Sequence, residues 1–414
     1  MNQIDIKKAL SGNMRQYGMM LALFVVVILF QILTNGVLLG PQNISNIFQQ
    51  NSYIMILACG MMLCILMGGN IDLSVGSVAG LIGAISAVLM LKMGWNVLPA
   101  VLISLALGIV IGAWHGFWIA YVGVPAFIAT LAGLLIFRGV TMGILQGVSL
   151  APLPPNFRFM AAGFMADIRV IEFIERFIRG NSEFTAGPNT PGIGGMTIFA
   201  LVAAVVACVV IVLSLVVSRR KRQRYGFEVT HIGLFIAQIV VISTIIIFLA
   251  SRLAQWRGLP MSLLIVIALV LIYSFITMQT VFGRHIYAFG GNKVAARLSG
   301  INTKRVLFLV YTNMGLLAAL AGIIFAGRLN SATPKAGDGF ELDAIAACFI
   351  GGASTTGGVG TIVGAIIGGL LMGVLNNGMA IMGIPIDWQQ SIKGLVLLIA
   401  VAFDVLSKKT SRTT

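Results

Sequence analysis

Apolar runs of about 17–24 residues recur along this chain, each long enough to cross a hydrocarbon core that needs roughly 20 helical residues. They fall near 17–34, 52–67, 75–91, 98–120, 125–148, 197–217, 232–251, 260–281, 306–327, 358–378 and 389–406. The strict alternation of a membrane barrel strand is absent, so the runs read as helices. Of the 414 residues, 58% are hydrophobic and 9% charged, whereas a soluble domain carries about 25% charged residues. The expectation is an all-α integral membrane protein: one transmembrane domain over 1–414, a helical bundle of about 10–12 spans.

The net charge of +15 would suit a nucleic-acid partner if it lined one helix face. Instead the basic residues clump between apolar runs: Lys7, Lys8 and Arg15; the run RRKRQR at 219–224; the segment from Arg284 to Arg305; and Lys408, Lys409 and Arg412. Placed on one side of a membrane, these clumps mark the cytoplasm, and both termini belong there. Eleven spans would separate the termini, so a twelfth, shorter element near 342–351 is expected to restore parity. The first run is read as an uncleaved span, because Thr34-Asn35-Gly36-Val37 does not resemble a signal-peptidase site.

Two stretches interrupt the apolar rhythm. LMGGNIDLSVGS at 66–77 and GGASTTGGVG at 351–360 are too rich in glycine for regular helix. Peptide groups left unpaired in lipid cost several kcal/mol each, so such backbone must be buried in protein or line a wet cavity. Broken or re-entrant helices in both halves of a chain are a transporter pattern and point to the solute path. A polar insertion, 149–196, is expected outside the cytoplasm. Within it Phe164, Ile168, Ile171, Ile174 and Ile178 have helical spacing, and Glu172/Arg176 and Glu175/Arg179 form i, i+4 pairs. Such an amphipathic helix either rests in the membrane interface or receives an extracytoplasmic partner.

An enzyme is not expected. Three histidines, His115, His231 and His285, stand at no metal-ligand spacing, and neither G-x-S-x-G nor H-E-x-x-H occurs. Gly-Lys is absent, which removes a P-loop. The four cysteines lie inside apolar runs and read as small buried side chains.

Asp72 is one of only 12 acidic residues. A carboxylate near membrane depth costs at least about 2.5 kcal/mol, so it faces protein or water. With Ser74 it precedes a helix starting near Val75, where it can cap the helix, contact a solute, or both. Asp343 stands before a short apolar helix in the same way and reads as an N-cap. Asn313, Asn376 and Asn377 lie in apolar spans and either bridge helices or bind a polar solute. The candidate substrate path therefore comprises Asn70, Asp72, Ser74, Ser77, Asn313 and Asn376. A different kind of feature is GRHIYAFGGNKVAARLSGIN at 283–302, where Ala295 and Ala296 followed by Gly300 predict a short helix outside the bilayer.

These stretches, with VPAFIATLAGLLIFRG at 124–139, GDGFELDAIAACFIGGASTTGGVGTIVGAIIG at 337–368 and LNNG at 375–378, make the chain similar to the membrane permeases of ATP-binding-cassette importers for monosaccharides, the ribose/xylose/arabinose/galactoside group. Its length, the 149–196 insertion, the basic run and RQYGM at 15–19 resemble the xylose or multiple-monosaccharide branch most. The resemblance implies a type II importer fold, a permease homodimer, two ATPase subunits that hold ATP and magnesium, and an extracytoplasmic sugar-binding protein. No cofactor is implied on this chain. It also implies that Arg284, Ala295, Ala296, Arg297 and Gly300 belong to the segment coupling the permease to the ATPase. Val294 stands where the importers' motif has glutamate, and the trailing Leu-Pro is missing. Two other readings stay open on the residues alone: a proton-coupled transporter with Asp72, Glu341 and Asp343 as relay, and a passive channel.

Overall fold

The computed structural model describes residues 14–165, 198–226 and 232–413. Among them there is no strand, only two isolated bridges, Leu150 with Ala332 and Phe164 with Pro260. Helices in chain order are α1 Met14–Leu33, α2 Pro41–Leu66, α3 Val75–Lys92, α4 Val97–Val122, α5 Ala126–Leu145, α6 Pro155–Ala162, α7 Ile198–Arg224, α8 Ile232–Ala254, α9 Met261–Gln279, α10 Val281–Gly291, α11 Lys293–Leu298, α12 Thr303–Leu329, α13 Phe340–Ile350, α14 Ile362–Ile381 and α15 Ile386–Thr413. Nine of the described helices are long and apolar enough to cross a membrane: α2 to α5, α7, α8, α9, α12 and α14. The chain is a multi-pass membrane protein of the all-α class, and the first and last expected spans coincide with α1 and α15.

Two helices form its centre. All of α2 from Ile54 to Leu66 is buried, and α12 packs against α2, α3 and α4. In lipid, apolar side chains gain little by leaving the tails, so close packing between helices depends on small residues. The α4/α12 seam is built this way: a Cβ on Gly108 would meet the Cβ of Ala319, and one on Gly315 would meet the Gly108 carbonyl. At the outer rim α7 and α8 pair with each other and expose apolar surface such as Val205, Val209, Val240 and Ile245. That is the surface lipid covers.

α2 starts at Pro41, well before the expected 52. Its polar first half is used inside the bundle: the Asn43 amide donates to the side-chain carbonyl of Asn377 at 2.7 Å, and Asn51 is fully sequestered beside Gly373 of α14. Polar residues that looked like loop are helix because another helix satisfies them.

Within the 149–196 insertion, α6 is a short helix behind Pro154, and Phe164 is not helical. It lies on the bridge to Pro260, with the Met165 N–H donating to Leu259 and the Met261 N–H donating to Gly163. The expected amphipathic helix therefore does not begin at Phe164; its remaining residues, Ile168 to Arg179, lie outside the described residues.

Candidate functional site

α13 has 11 residues, which at 1.5 Å per residue span about 16 Å, half a hydrocarbon core. Its N-terminus lies midway along the bundle, because Phe340 stacks on Tyr53 (ring centroids 3.9 Å apart), and Tyr53 is halfway along α2. Its C-terminal half descends along α2, where the Cys348 thiol donates to the Ala58 carbonyl at 3.4 Å, and the loop beyond it reaches the end of α2, where the Gly358 N–H donates to the Leu66 carbonyl at 2.9 Å. The stretch 330–339 thus dips from the far end to the middle, and α13 completes the descent. α13 alone is too short to cross, but 330–339 and α13 together run from one end of the bundle to the other, which is the passage that parity required.

The 67–74 stretch enters from the opposite end. After α2 the chain turns at Gly68 and Gly69 (φ +89° and +75°), conformations that glycine adopts without steric cost, and rises to the start of α3. There the two N-termini meet: Gly76 packs against the Gly337 carbonyl, the Glu341 carboxyl group and the Cβ of Phe340. Only glycine fits there. Two helix N-termini, each carrying partial positive charge from unpaired N–H groups, therefore converge halfway through the molecule. Asp72, Glu341 and Asp343 gather around them, all buried.

The carboxylates are held differently from the sequence expectation. Asp72 Oδ1 accepts from the Ser74 N–H at 2.8 Å and from the Ser74 hydroxyl at 2.6 Å. Ser74 stands at the N-cap, yet its side chain caps no helix N–H; its hydroxyl donates to the buried Asp72 instead. Ser77 donates to the Ser74 carbonyl at 2.8 Å. Asp343 is not an N-cap. α13 begins at Phe340 behind Gly339 in the left-handed conformation, which places Asp343 inside the helix. It pairs with Lys393 of α15 at 3.1 Å and accepts from the Tyr53 hydroxyl at 3.3 Å. Tyr53 in turn stacks on Phe340, and Phe325 stands edge-on to both rings. Glu341 Oε2 has no hydrogen-bond partner in its buried position.

Of the candidate path residues, Asp72, Ser74 and Ser77 come together at the α3 N-terminus, and Asn70, which donates to the Met67 carbonyl at 2.7 Å, lies on the approach. Asn313 and Asn376 are elsewhere. Asn313 accepts from the Tyr273 hydroxyl of α9, close to where Met314 packs on Gly60. Asn376 adjoins Asn377, opposite the first half of α2, and its Oδ1 is buried without a partner. Measured along α2 the two are about 20 Å apart. Asn313 and Asn377 bridge helices. Sequence reading missed Tyr53, Lys393 and Arg138 of α5, which pairs with Asp338 at 3.3 Å. A signal existed for the cations, since each interrupts an apolar run and charges at that depth are expensive; Tyr53 had none.

At the end where α2 terminates, α10 begins behind Thr280, whose side chain accepts from the Gly283 N–H at 3.2 Å. α11 begins behind Asn292, whose side chain accepts from the N–H groups of Val294 and Ala295, both at 3.0 Å. It ends in a Schellman turn, with Gly300 at φ +84° and the Ile301 N–H donating to the Ala296 carbonyl at 3.1 Å. The predicted short helix is present. Ala296 is buried as its anchor, while Ala295, Arg297, Val294 and Leu298 are exposed, as is Arg284 on α10. Tyr287 donates to the Gly360 carbonyl at 2.8 Å, and burial raises its phenol above the ordinary value, so it remains a donor at neutral pH.

Comparison with known proteins gives the arrangement a context. The family model described as branched-chain amino acid transport system / permease component matches residues 43–234 and 216–401. The xylose transport system permease protein XylH of Haemophilus influenzae is 36% identical over 402 residues, 97% of this chain and 99% of that protein. XylH of Escherichia coli K12 is 36% identical over 97% of this chain and 94% of its own length. The ribose import permease protein RbsC of the same organism is 36% identical over 87% of this chain and 85% of its own length. No solved structure matches.

Proposed function

The chain belongs to the family of transport-system permease components, and from that premise we propose that it is the membrane subunit of an ATP-binding-cassette importer for a monosaccharide, xylose or a related pentose or hexose. The observation that carries this is the likeness, over nearly the whole length, to permeases named for xylose transport. The ribose relatives match either over a shorter part of the chain, 87% for that of Escherichia coli, or at lower identity, 33% for that of Bacillus subtilis, which favours the xylose branch. The chain is a transport component and not an enzyme; ATP and magnesium belong to partner ATPase subunits, and no cofactor to this chain.

In this reading both termini and α10–α11 face the cytoplasm, as the basic clumps require. A homodimer of this single domain stands on two ATPase subunits, and an extracytoplasmic binding protein delivers the sugar near the 149–196 insertion. The ATPase docks on the exposed Arg284, Ala295, Arg297 and Gly300, in a segment that the buried Ala296 anchors to the bundle. ATP binding shifts the population between outward-open and inward-open states, because the ATPase dimer binds one state better than the other. Polar groups at the paired N-termini, Asn70, Asp72, Ser74 and Ser77, line the sugar's route, with Asn313 and Asn376 further along it. The hydroxyls of Ser74 and Ser77 are engaged internally, so the route offers few free donors and a weak site. Weak holding suits release.

The test is uptake of labelled xylose and ribose into liposomes containing this permease with its ATPase and binding protein. Uptake that requires ATP supports the importer, and the preferred label names the sugar. Uptake driven by a proton gradient without ATP would overturn it and return Asp72, Glu341 and Asp343 to a relay.

A further inference from the structure

We propose that Tyr287 and Gly290 form the joint through which movement of α10–α11 reaches both glycine-rich breaks, 66–77 and 351–360. The proposal rests on the importer reading and goes beyond it by naming the positioning residues that convert ATPase movement into opening of the path.

Both glycine breaks and α10 meet at one point. The Tyr287 hydroxyl reaches from α10 to the Gly360 carbonyl in the second break, at 2.8 Å. One turn on, Gly290 faces the first break: a Cβ there would overlap the Leu66 carbonyl and lie 2.5 Å from the Gly358 nitrogen. That nitrogen is the one that donates to Leu66 at 2.9 Å. A carbonyl ending α2, an amide of the second break and a glycine of α10 thus share one spot. Phe289, buried between them, has Gly68 as a neighbour. The breaks also touch each other directly, Gly357 against the Gly68 backbone and Gly69 against the Thr355 carbonyl.

Two physical consequences follow from this construction. Backbone pressed on backbone contains no flexible side chain to absorb a displacement, so a shift of α10 is either passed on or breaks the contact. The receiving segments are glycines at positive φ, +82° at Gly357, +73° at Gly358 and +89° at Gly68, where the chain changes conformation with little steric barrier. Stiff contact feeding pliable breaks is what a joint needs. Gly291, next in sequence, has nothing within 4 Å of a Cβ and provides a built-in control on the same helix.

The experiment measures labelled-sugar uptake and ATP hydrolysis in the same vesicles, using the full complex with Tyr287→Phe, Gly290→Ala or Gly291→Ala permease. The wild type and Gly291→Ala are expected to move equal sugar per ATP. Tyr287→Phe, losing one hydrogen bond, is expected to move about three- to tenfold less sugar per ATP while hydrolysis and assembly persist. Gly290→Ala is expected to uncouple further. If Gly290→Ala does not assemble, Tyr287→Phe carries the test alone, since it removes one oxygen and adds no volume. An unchanged ratio of sugar to ATP in assembled Tyr287→Phe overturns the joint; so does a parallel fall in uptake and hydrolysis, which marks a merely structural side chain. Wild-type vesicles without ATP-driven uptake would instead refute the importer reading, and the joint with it.

Discussion

At the scale of single residues the most exacting interactions are the buried charges. Asp343 and Lys393 attach the half-helix α13 to α15, and because Asp343 is the buried member, removing Lys393 leaves its charge without compensation, a loss of about 3 kcal/mol. Lys393→Ala should therefore lower the unfolding midpoint of the detergent-solubilised protein markedly, and adding Asp343→Asn should recover much of it. A midpoint lowered equally in the single and double variants would mean that the pair contributes nothing as a pair. Asp72 presents a subtler case. Its oxygen accepts two donors from Ser74, so Asp72→Asn, which keeps an acceptor, should cost about 1 kcal/mol, and Asp72→Ala, which orphans both donors, about 2–3 kcal/mol. Equal loss of uptake in the two, at unequal stability, would show that the negative charge is required for transport.

Elements are joined here by absence of side chains as much as by contact between them. Gly108 and Gly315 let α4 and α12 touch backbone to backbone, so Gly315→Ala should destabilise by at least about 2 kcal/mol through overpacking. Gly143→Ala on α5, where a Cβ meets open space, should be nearly neutral in the same thermal assay. For α11 the effect lies in the turn. Gly300 has room for a side chain but sits at φ +84°, so Gly300→Leu should strain the Schellman turn by about 1–2 kcal/mol without harming the bundle. Monodisperse protein with sugar uptake well below its ATP hydrolysis is the expected result; unchanged uptake would detach Gly300 from coupling.

The whole molecule is a bundle interrupted by two stretches that enter from opposite ends and meet where α3 and α13 begin. Its proposed orientation is open to direct measurement: a cysteine at Ser299→Cys should react with a membrane-impermeant reagent only from the cytoplasmic side, and one at Asn96→Cys only from outside. Reaction of both from one side would contradict the topology. Much of this plan was legible beforehand. Hydropathy located the spans because lipid demands apolar runs of fixed length; the glycine runs at 66–77 and 351–360 revealed where helix stops, since glycine takes positive φ without steric cost; and Gly300 marked the end of α11. What the chain order could not reveal was which distant groups satisfy one another. Asp343 resembled a cap until α13 proved to begin at Phe340 and Lys393 arrived from α15; Asn43 resembled loop until Asn377 faced it; Asn313 was open to any partner until Tyr273 of α9 donated to it. Periodicity and turn chemistry are local, so the class, the spans and the breaks could be read along the chain. Partners for buried polar groups are set by packing between segments 50 to 334 residues apart, so they emerged only with the fold.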